Sequence, residues 1–372
     1  MDKRWSLIAL HQIKGVGWHT IGRLQKVGWQ PGDHIEETHL SEIAKGKVPT
    51  KVINAIRITY SPEYVQKVMF DLQKTEIQVM TFFDSDYPHS LRELPQPPWV
   101  LYLLGDRSLL HNPCIAMIGT RKPTPYGKRV AQVFAESLSR SNWTIVSGMA
   151  LGIDGICHQA ALESGGKTIA VLGSGIDVVY PVQHRSLYQE IVKKGLVVSE
   201  VAPGTVAKPG LFPQRNRIVS GLAKGVLVVE AAEKSGTLIT TDFALEQGKD
   251  VFAIPGSILS EQSRGTNRLI QQGAKCVLHP DEILEEYEHL VIPFSDEVAA
   301  TVTSPQLMLT ETEQQIWDQL GPEPISLTML LSLISSVPIG EVHRSLLQME
   351  MKRYIQQLPG SRYIRLGEIS KT

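Results

Sequence analysis

Six short, almost wholly apolar runs recur between Cys114 and Gly256: Cys114–Ile118, Trp143–Val146, Thr168–Leu172, Leu196–Val198, Val226–Val229 and Val251–Ile254. Nearly every run is followed at once by glycine or a small polar residue, and then by a helical pattern. A strand that is apolar on both faces has to be covered on both faces. The helix in each long crossover supplies that cover. An α/β fold with a doubly covered parallel sheet is therefore expected. Its helices are expected over Gly127–Leu138, Asp154–Glu163, His184–Lys194, Arg215–Leu222, Gly236–Gln247 and Gly265–Gln272. Ligands of such sheets bind outside the carboxyl ends of the strands. The polar residues collect there: Gly119-Thr120-Arg121, Ser147-Gly148-Met149-Ala150, Gly173-Ser174-Gly175, Glu230 and Pro255-Gly256. That edge is the candidate site.

The remainder of the 372 residues divides around this core. A helical domain is expected over 1–74, the sheet domain over 75–289, a linker over 290–306 and a further domain over 307–372. In the first, Ile13-Lys14-Gly15-Val16-Gly17-Trp18-His19 reads as a glycine hairpin between two helices. Such a turn either leaves amides free for a DNA phosphate or simply packs a small helical domain. Tyr87-Pro88, Pro95 and Pro97-Pro98 mark an extended strap. Strands near Ile77–Thr81 and Leu101–Leu104 are expected to extend the main sheet. Helical patterns over Glu311–Leu320, Leu327–Ser335 and Ile339–Met351, followed by a hairpin within Arg353–Leu366, describe a winged helix. Its third helix carries Glu341, His343, Arg344, Gln348 and Lys352 and is not strongly basic, so DNA reading and protein contact both stay open.

Composition narrows the partners. The formal net charge of −1 announces no global attraction for nucleic acid, so a polyanion would need a local basic patch. The three cysteines, Cys114, Cys157 and Cys276, form no metal knuckle; they suggest a reducing compartment and are expected to be buried. No apolar run reaches the roughly 18 residues of a membrane span. The opening Met1–Trp5 leads into no signal-peptide core. A cytoplasmic protein is expected.

The crossovers lack both the Gly-x-Gly-x-x-Gly and the Walker patterns, which disfavours a dehydrogenase or a P-loop NTPase. Arg121 offers a planar fork for phosphate, against a surface salt bridge as the plain alternative. Asp154 reads first as a helix cap and second as a metal or catalytic carboxylate. Amides at that helix start would suit an oxyanion. His158, one turn on, has no paired nucleophile. Ser174 lacks the surroundings of a nucleophile elbow. Phe212-Pro213-Gln214-Arg215-Asn216-Arg217 is the most distinctive stretch: arginines at a helix start oppose its dipole, and an aromatic beside them suits phosphate and base. Ser235-Gly236-Thr237 opens another helix at the same edge. No acid–base pair, triad, metal set or cofactor motif accompanies these groups. The site is expected to hold phosphates, not to break bonds.

Taken together, the chain resembles the DNA-processing protein DprA family, also called Smf. The resemblance rests on Ile118-Gly119-Thr120-Arg121, Ser147 through Gly155, Phe212 through Ile218, Ser235 through Thr240, Ile254-Pro255-Gly256 and Gly265-Thr266-Asn267 to Gly273-Ala274, and is strong from Tyr87 to Val277. It implies a Rossmann-like domain, flanked by a sterile-alpha-motif-like helical domain and a winged-helix-like domain. It further implies a non-enzymatic homodimer that binds single-stranded DNA and loads RecA onto incoming strands during natural transformation, displacing single-strand-binding protein. The DNA-binding residues would be Gly119, Thr120, Arg121, Ser147, Gly148, Gly173, Ser174, Gly175, Arg215, Asn216, Arg217, Ser235, Gly236 and Thr237, with no cofactor or metal. Replacing Arg121 or Arg215 is expected to weaken binding with little change in folding. One departure is His184, where asparagine is expected. The competing reading is a nucleotide phosphoribohydrolase resembling the LOG family, with Glu230 or Glu246 as its acid; Lys234-Ser235-Gly236-Thr237 lacks that family's double glycine. A nucleotide sensor using the same pocket is a third.

Overall fold

The computed structural model describes residues 2–46, 48–290, 309–320, 325–334, 337–351, 354–358 and 361–365. The chain forms two compact units, 1–291 and 292–372.

Five helices open the first unit: α1 Lys3–Gln12, α2 Trp18–Lys26, α3 Glu37–Lys45, α4 Thr50–Thr59 and α5 Pro62–Gln73. Asp2 caps α1 and Ser61 caps α5, each accepting an amide three residues on. The strap follows as β1 Gln78–Thr81, α6 His89–Arg92 and β2 Val100–Gly105. The core then alternates strand and helix: β3 Cys114–Ile118, α7 Pro125–Arg140, β4 Thr144–Ser147, α8 Ile153–Glu163, β5 Thr168–Leu172, α9 Arg185–Lys194 and β6 Leu196–Ser199. It continues with α10 Leu211–Leu222, β7 Gly225–Val228, α11 Thr237–Glu246, β8 Asp250–Ala253, α12 Glu261–Gln271, β9 Lys275–Cys276 and α13 Asp281–Leu284.

The strands form one sheet of order β1-β2-β6-β5-β4-β3-β7-β8-β9. From β6 to β9 every pairing is parallel; β1 and β2 add an antiparallel edge. The central strands are buried along their whole length, as their apolar runs required. The chain leaves β3 toward β4, β5 and β6, then returns to the other side of β3 to lay down β7 and β8. The loops after β3 and β7 therefore part in opposite directions and open the crevice that such a reversal creates.

Most expected elements stand within a residue or two of their places. The clearest shifts are at α12, which starts at Glu261 rather than Gly265, and at α10, which starts at Leu211 rather than Arg215. Pro213 sits in its first turn, where a missing amide costs no intrahelical bond. One buried set joins the N-terminal helices to the sheet, holding Leu7, Ile21, Trp29 and Ile56 together with Tyr102, Leu172, Tyr188 and Val197. The indole of Trp18 donates to the Pro97 carbonyl, and that of Trp99 to the Trp18 carbonyl. Cys114 and Cys157 are buried as expected, but Cys276 is exposed because β9 is the short edge strand. Among the described residues, no helix is long and apolar enough to cross a membrane.

The second unit holds α14 Glu311–Gln319, β10 Ile325–Ser326, α15 Leu327–Leu333, α16 Ile339–Met351, β11 Ile355–Leu358 and β12 Arg362–Arg365. Thr310 and Glu313 close a reciprocal capping box on α14. The strands make a small antiparallel sheet, β10-β12-β11, packed on Trp317, Leu330, Val342, Leu346 and Met349. This is the winged helix anticipated from the sequence. The linker expected over 290–306 lies, beyond Leu290, outside the described residues, as does Lys352.

Phe252 is fully buried in β8, with its ring 6.2 Å from that of Tyr287 and its edge against Gly225. Phe252→Ala is expected to cost about 3–5 kcal/mol, from lost transfer energy plus the cavity left behind. A correspondingly lower denaturation midpoint of the first unit, followed by circular dichroism, checks this.

Candidate nucleic-acid interface

The crevice is built by backbone ties between crossovers. Beyond β3, the Thr120 amide donates to the Glu230 carbonyl at 2.7 Å, and Thr237 Oγ1 donates to the Gly119 carbonyl at 3.1 Å. The Ile153 amide donates to the Thr120 carbonyl at 3.2 Å. Gly152 makes this closure possible: its φ is +83°, and a Cβ there would lie 2.4 Å from the Thr120 oxygen. Gly119, Thr120, Ser235 and Thr237 thus meet at the β3–β7 opening, with Gly236 exposed beside them.

The second crossover differs from its expected chemistry. Asp154 does not cap α8; Gly152 holds that position. Its buried carboxylate instead accepts the amides of Gly148 (3.1 Å) and Ala150 (3.3 Å), so those two donors are already spent on a protein anion. The reach is backward because the loop folds over the helix start, with Met149 at φ 60°. Burial raises the Asp154 pKa, and the charge of Arg215 and the loop amides oppose that rise. His184 donates Nδ1–H to the Met149 carbonyl at 3.1 Å and so helps to brace the loop.

The arginines divide sharply. Arg215 is buried, its Nη1 donating to the carbonyls of Gly148 and Val171 and its Nε to Asn216 Oδ1 at 3.1 Å. Burial lowers its pKa to about 10; Asp154 opposes the fall and Arg121 adds to it. Arg217 is buried as well, paired with Glu200 at 2.6 Å. Arg121 is exposed. The expectation that Arg215 could be replaced with little change in folding is corrected by this burial, since its loss strands two strand-end carbonyls.

Ser147 Oγ donates to the Met117 carbonyl, and Ser174 Oγ donates to the Val178 carbonyl, so both hydroxyls are structural ties. Gly173 and Gly175 are buried beneath the loops. A Cβ on Gly173 would lie 2.7 Å from the Phe212 ring, so its glycine lets that ring settle over the strand end. Phe212 and Tyr180 lie with ring centroids 5.4 Å apart, and the Arg121 guanidinium lies 5.9 Å from the Phe212 centroid. Tyr180 is 48% exposed. This trio is the feature that sequence reading left unassembled. Phe212 stood out beside the arginines, but Tyr180 comes from a different crossover.

The carboxylates proposed for catalysis are placed otherwise. Glu230 is buried and accepts the Thr124 amide at 2.9 Å and hydroxyl at 2.5 Å, fixing the start of α7. Glu246 is exposed at the far end of α11 from Ser235–Thr237. Among the described residues, no group of three His, Cys, Asp or Glu could hold a metal ion.

Comparison with known proteins follows the same outline. The family model for DNA recombination-mediator protein A matches residues 78–288, and that for the DprA winged helix domain matches 299–361. The chain belongs to the DprA/Smf family. It is similar to Protein Smf of Synechocystis, 36% identical over 79% of this chain and 81% of that one. It is also similar to DNA processing protein DprA of Streptococcus pneumoniae, 44% identical over 56% of this chain and 73% of that one. The crystal structure of S. pneumoniae DprA superposes with a TM-score of 0.56 at 36% identity, covering 73% of this chain and 98% of that one. That of DNA processing protein A from Helicobacter pylori, described for its single-stranded DNA binding mode, gives 0.53 at 32%, covering 57% and 96%. A DprA fold thus carries the crevice.

His158 is fully buried and donates Nδ1–H to Thr168 Oγ1 at 2.6 Å, because Thr168 spends its own proton on the Ile145 carbonyl. Burial first, then the His184 and Arg215 charges, lowers its pKa to about 3; burial lowers that of His11 to about 4. Both fall below the unfolded value of 6.5, so the unfolded chain binds more protons and stability drops as pH falls below about 6.5. The expected slope is up to about 1.4 kcal/mol per pH unit for each histidine. Urea midpoints measured from pH 7 to 5 should show this loss, and His158→Asn should shrink it by about half.

Proposed function

We propose that the crevice holds single-stranded DNA and that the protein acts as a recombination mediator without chemistry of its own. The observation that carries this reading is the exposed Arg121 guanidinium beside the Phe212 and Tyr180 rings at the strand ends. An exposed cation next to aromatic faces suits a phosphate and the base attached to it, independently of sequence. Membership of a recombination-mediator family and the single-stranded DNA binding described for the H. pylori relative support the choice of ligand. The reading extends to loading RecA onto incoming strands during natural transformation, with displacement of single-strand-binding protein, by a homodimer in the cytoplasm. Those steps rest on the family alone.

Within this reading the predicted residues take different roles. Arg121 and the Gly119–Thr120 and Ser235–Thr237 backbones face the strand. Ser147, Gly148, Gly173, Ser174, Gly175, Arg215, Asn216 and Arg217 shape the surface on which it lies. A nucleotide phosphoribohydrolase would need a free carboxylate beside Ser235–Thr237, and the employment of Glu230 at Thr124 argues against that alternative.

Fluorescent oligo-dT of increasing length, titrated at two salt concentrations with duplex DNA and AMP as competitors, tests the proposal. Binding should tighten with length and fall steeply with salt, while duplex and AMP compete weakly. Strong AMP competition without length dependence, or turnover of AMP, would overturn it. Arg121→Ala should weaken all sequences by roughly tenfold and reduce the salt slope by about 0.7. Its unfolding midpoint should move by less than about 0.5 kcal/mol equivalent, because the side chain is exposed. Phe212→Ala should cost about 1–3 kcal/mol of binding.

A further inference from the structure

We propose that the cleft between the glycine hairpin and the β6–α10 loop is a second contact surface for single-stranded DNA, carrying the strand onward from the strand-end site. The inference rests on the reading above and adds a surface to it.

The cleft has a volume of about 990 Å³. One wall is the turn between α1 and α2, with Lys14, Trp18 and His19; the other is the loop after β6 and the start of α10, with Lys208, Leu211 and Gln214. Lys14, His19 and Lys208 are exposed. Arg217 and Glu200 also line the cleft and neutralise each other. Glu246 is the other carboxylate on the lining, set against both lysines. The balance favours an anion.

Trp18 gives the cleft an aromatic edge held in place from two sides. Its ring lies 6.2 Å from that of Trp99 at an interplanar angle of 22°, and its indole nitrogen donates to the Pro97 carbonyl at 2.8 Å. An indole fixed beforehand loses little rotamer freedom when a base stacks on it. No side chain caps α2 at Gly17, so donors at that helix start are available beside Lys14. A pocket for a compact apolar ligand would not pair lysines from both walls with an open rim. A flexible polyanion with planar groups matches all of these features.

The two surfaces are joined by α10. Phe212 in its first turn belongs to the strand-end trio, while Leu211 and Gln214 in the same turn line the cleft. A strand stacked on Phe212 therefore reaches the cleft by crossing one helical turn.

The experiment uses the full chain and two oligo-dT lengths, about 6 and about 20 nucleotides, chosen to fill one site or both. In Lys14→Glu/Lys208→Glu, the long oligomer should lose affinity by about tenfold or more and its salt slope should fall by roughly 1.4, for two phosphate contacts. The short oligomer should bind as before. A charge-matched control, Lys51→Glu/Lys67→Glu on α4 and α5, should change neither. Photocrosslinking of the wild-type protein to a 5-iodouracil-substituted long oligomer should give adducts within residues 14–19. Equal losses for both lengths, the same loss in the control, or adducts confined to Tyr180 and Phe212 would overturn the cleft. If Arg121→Ala leaves the short oligomer unaffected, the strand-end reading itself fails, so the two failures are distinguishable.

Discussion

The strand-end surface depends on a buried cation. Arg215 lies beneath the crossovers and donates to the ends of two neighbouring strand paths, at Gly148 and at Val171, while Asp154 opposes its loss of hydration. Taking a guanidinium out of water costs several kcal/mol, and only dense hydrogen bonding and a nearby anion make the placement tolerable. The compensation is geometric. Because Arg215 is locked, the first turn of α10 is locked over the carboxyl ends of β4 and β5. The position of Phe212, three residues earlier, follows. Asp154 serves the same end from the other side by gathering the Gly148 and Ala150 amides. The crossover that looks like an open anion nest is closed by its own protein carboxylate, and its function is to hold a shape.

On the proposed reading, that closure alters how a chain of nearly zero net charge meets a polyanion. If every glycine-rich turn offered free amides, binding would be spread along the whole sheet edge. Here several turns are satisfied internally: Asp154 at the second crossover, Glu230 at the start of α7, and Ser235 at the start of α11. The exposed cation over the rings is Arg121, and in the proposed binding mode the affinity of the strand-end surface is concentrated around it. Fixed hydrogen bonds beneath and one exposed charge above make a preorganised surface, which in the proposed mode saves ordering cost when a flexible strand settles.

The sheet was legible because central parallel strands must be apolar on both faces, and Cys114–Ile118 and Thr168–Leu172 therefore read from their composition alone. The edge strands were legible less directly, through the prolines that interrupt the strap around them. Helix ends were read less well where a local rule has an exception. The expected start of α10 at Arg215 leaves Pro213 outside the helix, yet proline is permitted in a first helical turn. Asp154 has the sequence position of a cap, but a side chain can reach back to a loop as readily as forward to an amide.

The division among the arginines was not legible at all, for a reason that applies beyond this fold. Arg121, Arg215 and Arg217 carry the same fork and stand at the same sheet edge, so composition and spacing rank them together. Burial separates them, and burial depends on what lies above each residue: the Glu200 loop covers Arg217, whereas the crossover after β3 leaves Arg121 in solvent. The aromatic partners have the same origin. Tyr180 and Phe212 are brought to 5.4 Å by two crossovers that share no local pattern. A motif therefore identifies the edge at which a ligand is met, while the assignment of each side chain to support or to contact is a property of the packed loops. Conservative replacement illustrates the consequence. Lysine at 121 would keep a charge in solvent, whereas lysine at 215 would have to satisfy two carbonyls and a neighbouring amide oxygen from a single nitrogen, without the planar fork that now spans them.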